Sequence, residues 1–235
     1  AGGNTGLGVF GIAADVSATA GDVSINLDGV RASDNLGVTA DGVGISATAV
    51  GGDADIRVRH VLASRNSQYG IRIGASAGGD AVAYVNDSEA SQNASNGVVV
   101  VLNATSGNGT AGFNDNVVMG NGDDGISAAV TAGGTALIGA CENVVANNTG
   151  DGFQVAGAGA VVQLDFGLGA VLNEGRNSIY GNGAFGIRNV GAGVLQANDN
   201  FWGGAAPVGA AAPVADYGTP GVAVPATWLV VDPSL

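Results

Sequence analysis

Residues able to move protons, bind cations or grip sugars recur at near-constant intervals along this chain of 235 residues. His60, Asp87, Asp115, Glu142 and Arg176 follow one another at spacings of 27, 28, 27 and 34. If each spacing is one turn of a repeat, the three carboxylates stack about 4.8 Å apart between a histidine and an arginine. Like charges that close shift one another's pKa unless a cation, a shared proton or flanking positive groups intervene. Such a column could supply acid–base chemistry or hold Ca²⁺, so Asp87, Asp115, Glu142 and His60 are the catalytic candidates. The competing reading is a charged column facing water, with His60 and Arg176 at its ends.

Two further sets follow from the same alignment. Asp124 stacks on Asp151, with Asn96 one repeat earlier and Asp123 adjacent. Asp123, Asp124 and Asp151 are therefore candidate oxygen ligands for Ca²⁺, against the plainer expectation of solvated turn carboxylates. Arg57, Arg59 and Arg72, with Tyr69 or Tyr84, could bind an acidic sugar. The alignment also sets Arg59 beside Asp28, Arg65 beside Asp34, and Arg57 beside Asn26 and Tyr84, the arrangement expected of outer-face ion pairs. The segments Gly6–Gly11, Gly120–Gly125 and Gly181–Gly186 satisfy G-x-G-x-x-G, but strand-like residues follow where a dinucleotide site needs a helix. Cys141 is the single cysteine, which excludes an internal disulfide and a thiolate metal cluster. Five N-x-[ST] triplets, at Asn86, Asn93, Asn103, Asn108 and Asn147, are expected by chance in a chain this rich in Asn, Ser and Thr.

What must position these residues is a repeat. Asn, three residues, Gly and a large apolar residue recur from Asn66, Asn93, Asn121, Asn148 and Asn182. Gly44-Ile45 and Gly11-Ile12 continue the Gly-apolar series upstream. Between glycine-rich breaks the apolar residues alternate with polar ones, as in Ile56 and Val58 against Asp55, Arg57 and Arg59. Alternation in short runs rich in Val, Ile and Ala means half-buried strands, and no 3.6-residue period appears. The expectation is an all-β, single-stranded right-handed parallel β-helix, a β-solenoid of about seven coils of roughly 27 residues. Ile12, Ile45, Ile71, Val98, Ile126, Phe153 and Ile187 are expected to form one inward column. Asn66, Asn93, Asn121, Asn148 and Asn182 are expected to form an asparagine ladder at a turn.

The N-x-x-x-G-[IVF] repeats and the segment NDNFWGG from Asn198 resemble the right-handed parallel β-helix superfamily, whose best-known members are pectate lyases and related polysaccharide-active proteins. The resemblance covers nearly the whole chain. It implies that Phe201, Trp202 and Trp228 cap the last coil, so residues 1–202 form coils and 203–235, which hold all five prolines, form a capping tail. Because this superfamily hosts lyases, hydrolases, epimerases, adhesins and proteins without known chemistry, it implies a fold rather than an activity.

Composition narrows the partners. There is no lysine, and 7 arginines face 20 acidic residues for a net charge of −13, so clustered phosphate contacts to nucleic acid and attraction to an anionic membrane are both disfavoured. No apolar run is long enough for membrane insertion. The function expected from the sequence is a secreted or cell-surface structural or binding module for adhesion or assembly, without catalysis and without a cofactor beyond the Ca²⁺ option. The alternative is a lyase, hydrolase or epimerase on acidic glycans. Expected partners are polysaccharide, or like subunits stacking end to end on an uncapped N-terminal coil.

Overall fold

The computed structural model describes residues 5–6, 10–37, 40–167, 175–197 and 199–203. Strands, turns and bends account for all of the secondary structure among them, with no helix. The strands alternate in burial because every second residue turns inward, as in Ala54–Arg59, where Ala54, Ile56 and Val58 are buried and Asp55, Arg57 and Arg59 are not.

Each turn of the chain contributes one strand to each of up to three parallel sheets. The first has seven strands: Phe10–Ala18, Asp41–Ala49, Ile71–Ala77, Val98–Ala104, Ile126–Ala132, Phe153–Ala158 and Ile187–Asn189. The second also has seven, from Val23–Asp28 to Val194–Gln196, and the third has five short strands from Leu62–Ser64 to Ser178–Tyr180. Sequence neighbours never pair within these sheets; each strand pairs with its equivalent one turn away. The architecture is a parallel β-solenoid of about six turns, close to the seven coils expected.

One inward column runs Ile12, Val43, Ile71, Val98, Ile126, Phe153, Ile187. The expected column placed Ile45 where Val43 stands; Ile45 instead stacks between Ala14 and Ile73. A slip of two residues leaves a side chain facing the same way, so hydrophobicity alone does not fix this register. Glycine does. The glycine before each column residue passes so close to the next turn that a Cβ on Gly42 would lie 2.6 Å from Asn66 Nδ2 and 2.6 Å from the Gly70 carbonyl. Gly70, Gly97, Gly125 and Gly152 meet Asn93, Asn121, Asn148 and Asn182 in the same way. The Asn and the Gly of the repeat are two halves of one contact.

The expected asparagine ladder is present and buried. Asn66, Asn93, Asn121 and Asn148 each donate both backbone N–H and Nδ2–H to the Oδ1 of the next asparagine, at 2.9–3.1 Å. Nδ2 also donates back to a carbonyl of the preceding turn, as from Asn121 to Ala90 at 3.0 Å. Asn35 extends this ladder by one rung. A second ladder, not expected, runs through Asn116, Asn143, Asn177 and Asn200 at the other end of the third sheet. Its signal was legible: an asparagine follows Asp115, Glu142, Arg176 and Asp199 in turn.

Phe201 and Trp202 lie in the last described turn. The Phe201 N–H donates to the Asn177 carbonyl at 2.8 Å, its ring meets Tyr180 edge-on at 6.0 Å, and Trp202 is fully buried. A Cβ on Gly186 would touch the Trp202 ring at 2.9 Å, so the buried indole also requires a glycine beside it. Trp228, and the expected tail apart from Gly203, lie outside the described residues.

Replacing Asn121 with Ala strands the Asn93 N–H, costs Asn93 Nδ2 one of its two acceptors and takes the side-chain donor from the Ala90 carbonyl, while Asn148 Oδ1 keeps the N–H of residue 121. At about 1–3 kcal/mol for each buried group left unpaired, the expected loss is about 3–5 kcal/mol in denaturant unfolding. Gly97→Ala forces a Cβ to within 2.7 Å of Asn121 Nδ2 and 2.8 Å of the Gly125 carbonyl, and is expected to cost about 2–3 kcal/mol in the same assay.

Candidate functional site

Two bends per turn adopt the left-handed backbone region; a ladder asparagine follows directly in every turn of one, and in the other after Asp115, Glu142, Arg176 and Asp199, while Val61 follows His60 and Ser88 follows Asp87. One bend carries His60, Asp87, Asp115, Glu142, Arg176 and Asp199, all with φ between 48° and 58°. The other carries Asp34, Arg65, Gln92, Gly120, Asn147 and Gly181. A left-handed residue reverses the chain so that its own side chain points out while the next one turns in. The column of catalytic candidates is thus the outward partner of the second asparagine ladder. Asp and His tolerate this region better than most residues; Glu142 and Arg176 gain no such local advantage and occupy it at a cost of about 1 kcal/mol or more each.

The column is paired at its ends. His60 Nδ1 lies 2.7 Å from Asp28 Oδ1, Arg59 approaches Asp28 Oδ2 at 4.0 Å, and Arg176 meets Glu142 at 2.5 Å. The hydrogen bond to His60 holds the Asp28 carboxyl below its ordinary pKa. Asp87 and Asp115 stand between these pairs with no partner among the described residues. Partial burial pushes the pKa of Asp115 up, Glu142 and Asp87 push it further, and Arg176 opposes them. An open depression beside them is lined by His60, Leu62, Asp87, Glu89, Asp115 and Val117. It has a floor and no walls. The longer first coil adds Leu36 and Gly37 at the opposite corner of the turn, after the Asn35 rung, while residues 38–39 and 168–174 lie outside the described set.

The proposed calcium ligands are not solvated turn carboxylates. Asp124 is 6% exposed and Asp151 1%, although Asp123 is exposed. Asp124 Oδ1 accepts the Asp151 N–H at 2.8 Å, and Asp151 Oδ1 accepts the Phe185 N–H at 3.0 Å. The second oxygens face Asn96 Nδ2 at 3.4 Å and Arg188 at 3.5 Å. These carboxylates act as further ladder rungs. Among the described residues no three His, Cys, Asp or Glu side chains converge as a metal-binding group.

The same pattern appears at the other end of the stack. Buried Asp41 accepts the Tyr69 N–H and faces Arg72 at 3.9 Å, with the guanidinium 5.9 Å from the Tyr69 ring. Asp151, Phe185 and Arg188 repeat it, with the guanidinium 4.8 Å from the ring. The paired tetrapeptides YGIR and FGIR, at 69–72 and 185–188, were its unread sequence signal.

The arginine and tyrosine candidates do not form one site. Arg57 and Tyr84 stack 5.7 Å apart on the outer face of the second sheet, where Arg59 lies on the same strand as Arg57. Arg72 belongs to the first sheet and Tyr69 to the bend before it. Arg57, Arg59, Arg65, Arg72, Arg176 and Arg188 each lie within ion-pair distance of an acid. Cys141 donates to Asn114 Oδ1 at 3.0 Å, and burial pushes its thiol pKa up to about 11, away from nucleophilic use.

Burial, opposed by the Asp151 amide bond and reinforced by Asp151 and Asp123, raises the Asp124 pKa from 3.8 to about 6. The folded chain therefore holds this proton more tightly than the unfolded one. Its contribution to stability is full below about pH 4 and is lost as pH rises through 6. Asp124→Asn, which keeps the acceptor and removes the charge, is expected to stabilise the protein by about 1–3 kcal/mol at pH 8 and by little at pH 4. Thermal melts of both proteins across that range test it; equal gains at both pH values would refute it. Compared with known proteins, the chain matches no family model, no curated protein and no solved structure.

Proposed function

We propose that this chain is a rigid β-solenoid module that works outside the cell or at its surface by binding or assembly, without catalysis. The observation that carries this reading is the bend column. Its charged residues sit where left-handed backbone turns them outward, and three of the six, His60, Glu142 and Arg176, are engaged in pairs. Acid–base catalysis requires groups converging within hydrogen-bond reach of one reacting centre, in a place from which water is excluded. A column on an outer corner spreads such groups along a line instead.

The second reading is a glycan-cleaving enzyme. Its support is Asp115, whose raised pKa suits a general acid and whose neighbour Asp87 lies one turn away. Against an acidic polymer as the substrate stand the net charge of −13 and the engagement of the arginines with carboxylates. End-to-end stacking through the first described turn, where Val16 on the inner face is 42% exposed, is a further mode of assembly within the leading reading.

Uronic-acid and neutral polysaccharides, tested in parallel for retention of polymer and for release of reducing or unsaturated ends, separate the two readings. The expected outcome is no released ends, and identical behaviour of wild type and Asp115→Asn. Cleavage that disappears in Asp115→Asn would overturn the non-catalytic reading. In sedimentation, stacking predicts a mass that grows with concentration, and a constant monomer mass would remove it.

A further inference from the structure

The first sheet carries a depression of about 310 Å³ on its outer face, away from the bend column, lined by Ala13, Asp15, Gly44, Ser46, Arg72 and Gly74. The register makes it a panel two side-chain positions wide and three turns long: Ala13, Gly44 and Arg72 in one row, Asp15, Ser46 and Gly74 in the other. That panel measures roughly 7 by 10 Å, the footprint of one to two sugar rings. Its floor is glycine, and its rim holds a carboxylate, a hydroxyl and a guanidinium.

Gly74 is the informative residue. Among the described residues, most glycines are required because a Cβ would strike the adjacent turn, or because φ is positive. At Gly74 neither holds: a Cβ would meet nothing within 4 Å, and the backbone is ordinary strand. Glycine in a strand interior weakens it, and where packing does not demand the residue its common use is to let a ligand approach the backbone. Arg72 stands over this floor with its guanidinium half-exposed, held from behind by buried Asp41 at 3.9 Å and by the Tyr69 ring. It is oriented before any ligand arrives.

We infer that this depression binds a neutral, hydroxyl-rich saccharide lying against Gly44 and Gly74. Vicinal hydroxyls of a pyranose both donate and accept; Asp15 can only accept, Arg72 can only donate, and Ser46 does either. The Asp15 carboxylate and the Asp41 charge behind Arg72 disfavour a uronate, as does the overall negative field. The inference rests on the binding-module reading and adds to it a place and a ligand class.

Neutral oligohexoses (cello-, malto- and manno-hexaose) and oligogalacturonate serve as probes, with binding followed through the backbone amide resonances of Ser46 and Gly74 and through titration calorimetry. Wild type is expected to bind at least one neutral oligomer, shifting those resonances, and to bind oligogalacturonate about tenfold or more weakly. Gly74→Val fills the floor in open space, so it is expected to melt at or above the wild-type temperature and to lose about tenfold or more in affinity. Binding unaffected by Gly74→Val, no binding to any neutral oligomer, or a preference for oligogalacturonate would each overturn this site. Released sugar ends would instead overturn the non-catalytic reading, so the two failures are distinct.

Discussion

The structure depends on the contact between a buried asparagine amide and the glycine of the neighbouring turn. Parallel strands stack at a fixed spacing only if every bend returns the chain to the same height. At each bend, backbone groups leave the sheets and lose their partners inside a protein. The asparagine side chain supplies what is missing. Its oxygen accepts two N–H groups from one neighbour and its nitrogen donates to two oxygens, so three turns are tied by one side chain. The amide can reach only because the facing residue has no Cβ.

That lock sets the chemistry of the surface. A buried side chain immediately after a reversal requires a left-handed residue before it, and that residue must turn outward. Each ladder therefore creates an external column of residues that tolerate positive φ, among which Asp, Asn, His and Gly are favoured. Much of what resembles a row of catalytic acids is explained by this backbone demand. The choice of charge within the row is not. His60 joins Asp28 of the preceding turn by a hydrogen bond and Glu142 joins Arg176 by an ion pair, whereas Asp87 and Asp115 are left to repel each other in the middle.

Buried carboxylates show the opposite choice. Asp41 and Asp151 occupy ladder positions that an asparagine could fill, and each recruits an arginine stacked on an aromatic ring from the next turn. A paired buried charge costs desolvation that the arginine offsets. Asp124 has the amide partner without an arginine of its own, which is why its proton is held to an unusually high pH. One cost of building a solenoid from carboxylates is thus placed between two turns near the C-terminal end of the described stack.

The solenoid, its three-residue alphabet of Asn, Gly and aliphatic residues, the first ladder and the stacking of Arg59 on Asp28 were all legible in the sequence, because a one-dimensional repeat converts residue spacing directly into spatial neighbourhood. Spacing determined which residues share a column. It did not determine which way a column faces. The register of Val43 over Ile45, the burial of Asp124 and Asp151, and the separation of Arg72 from Arg57 were decided only in three dimensions. Alternation is blind to a shift of two, a turn residue's direction depends on the sign of φ, and the angle between successive sheets determines whether equal spacings lie on one face or on two.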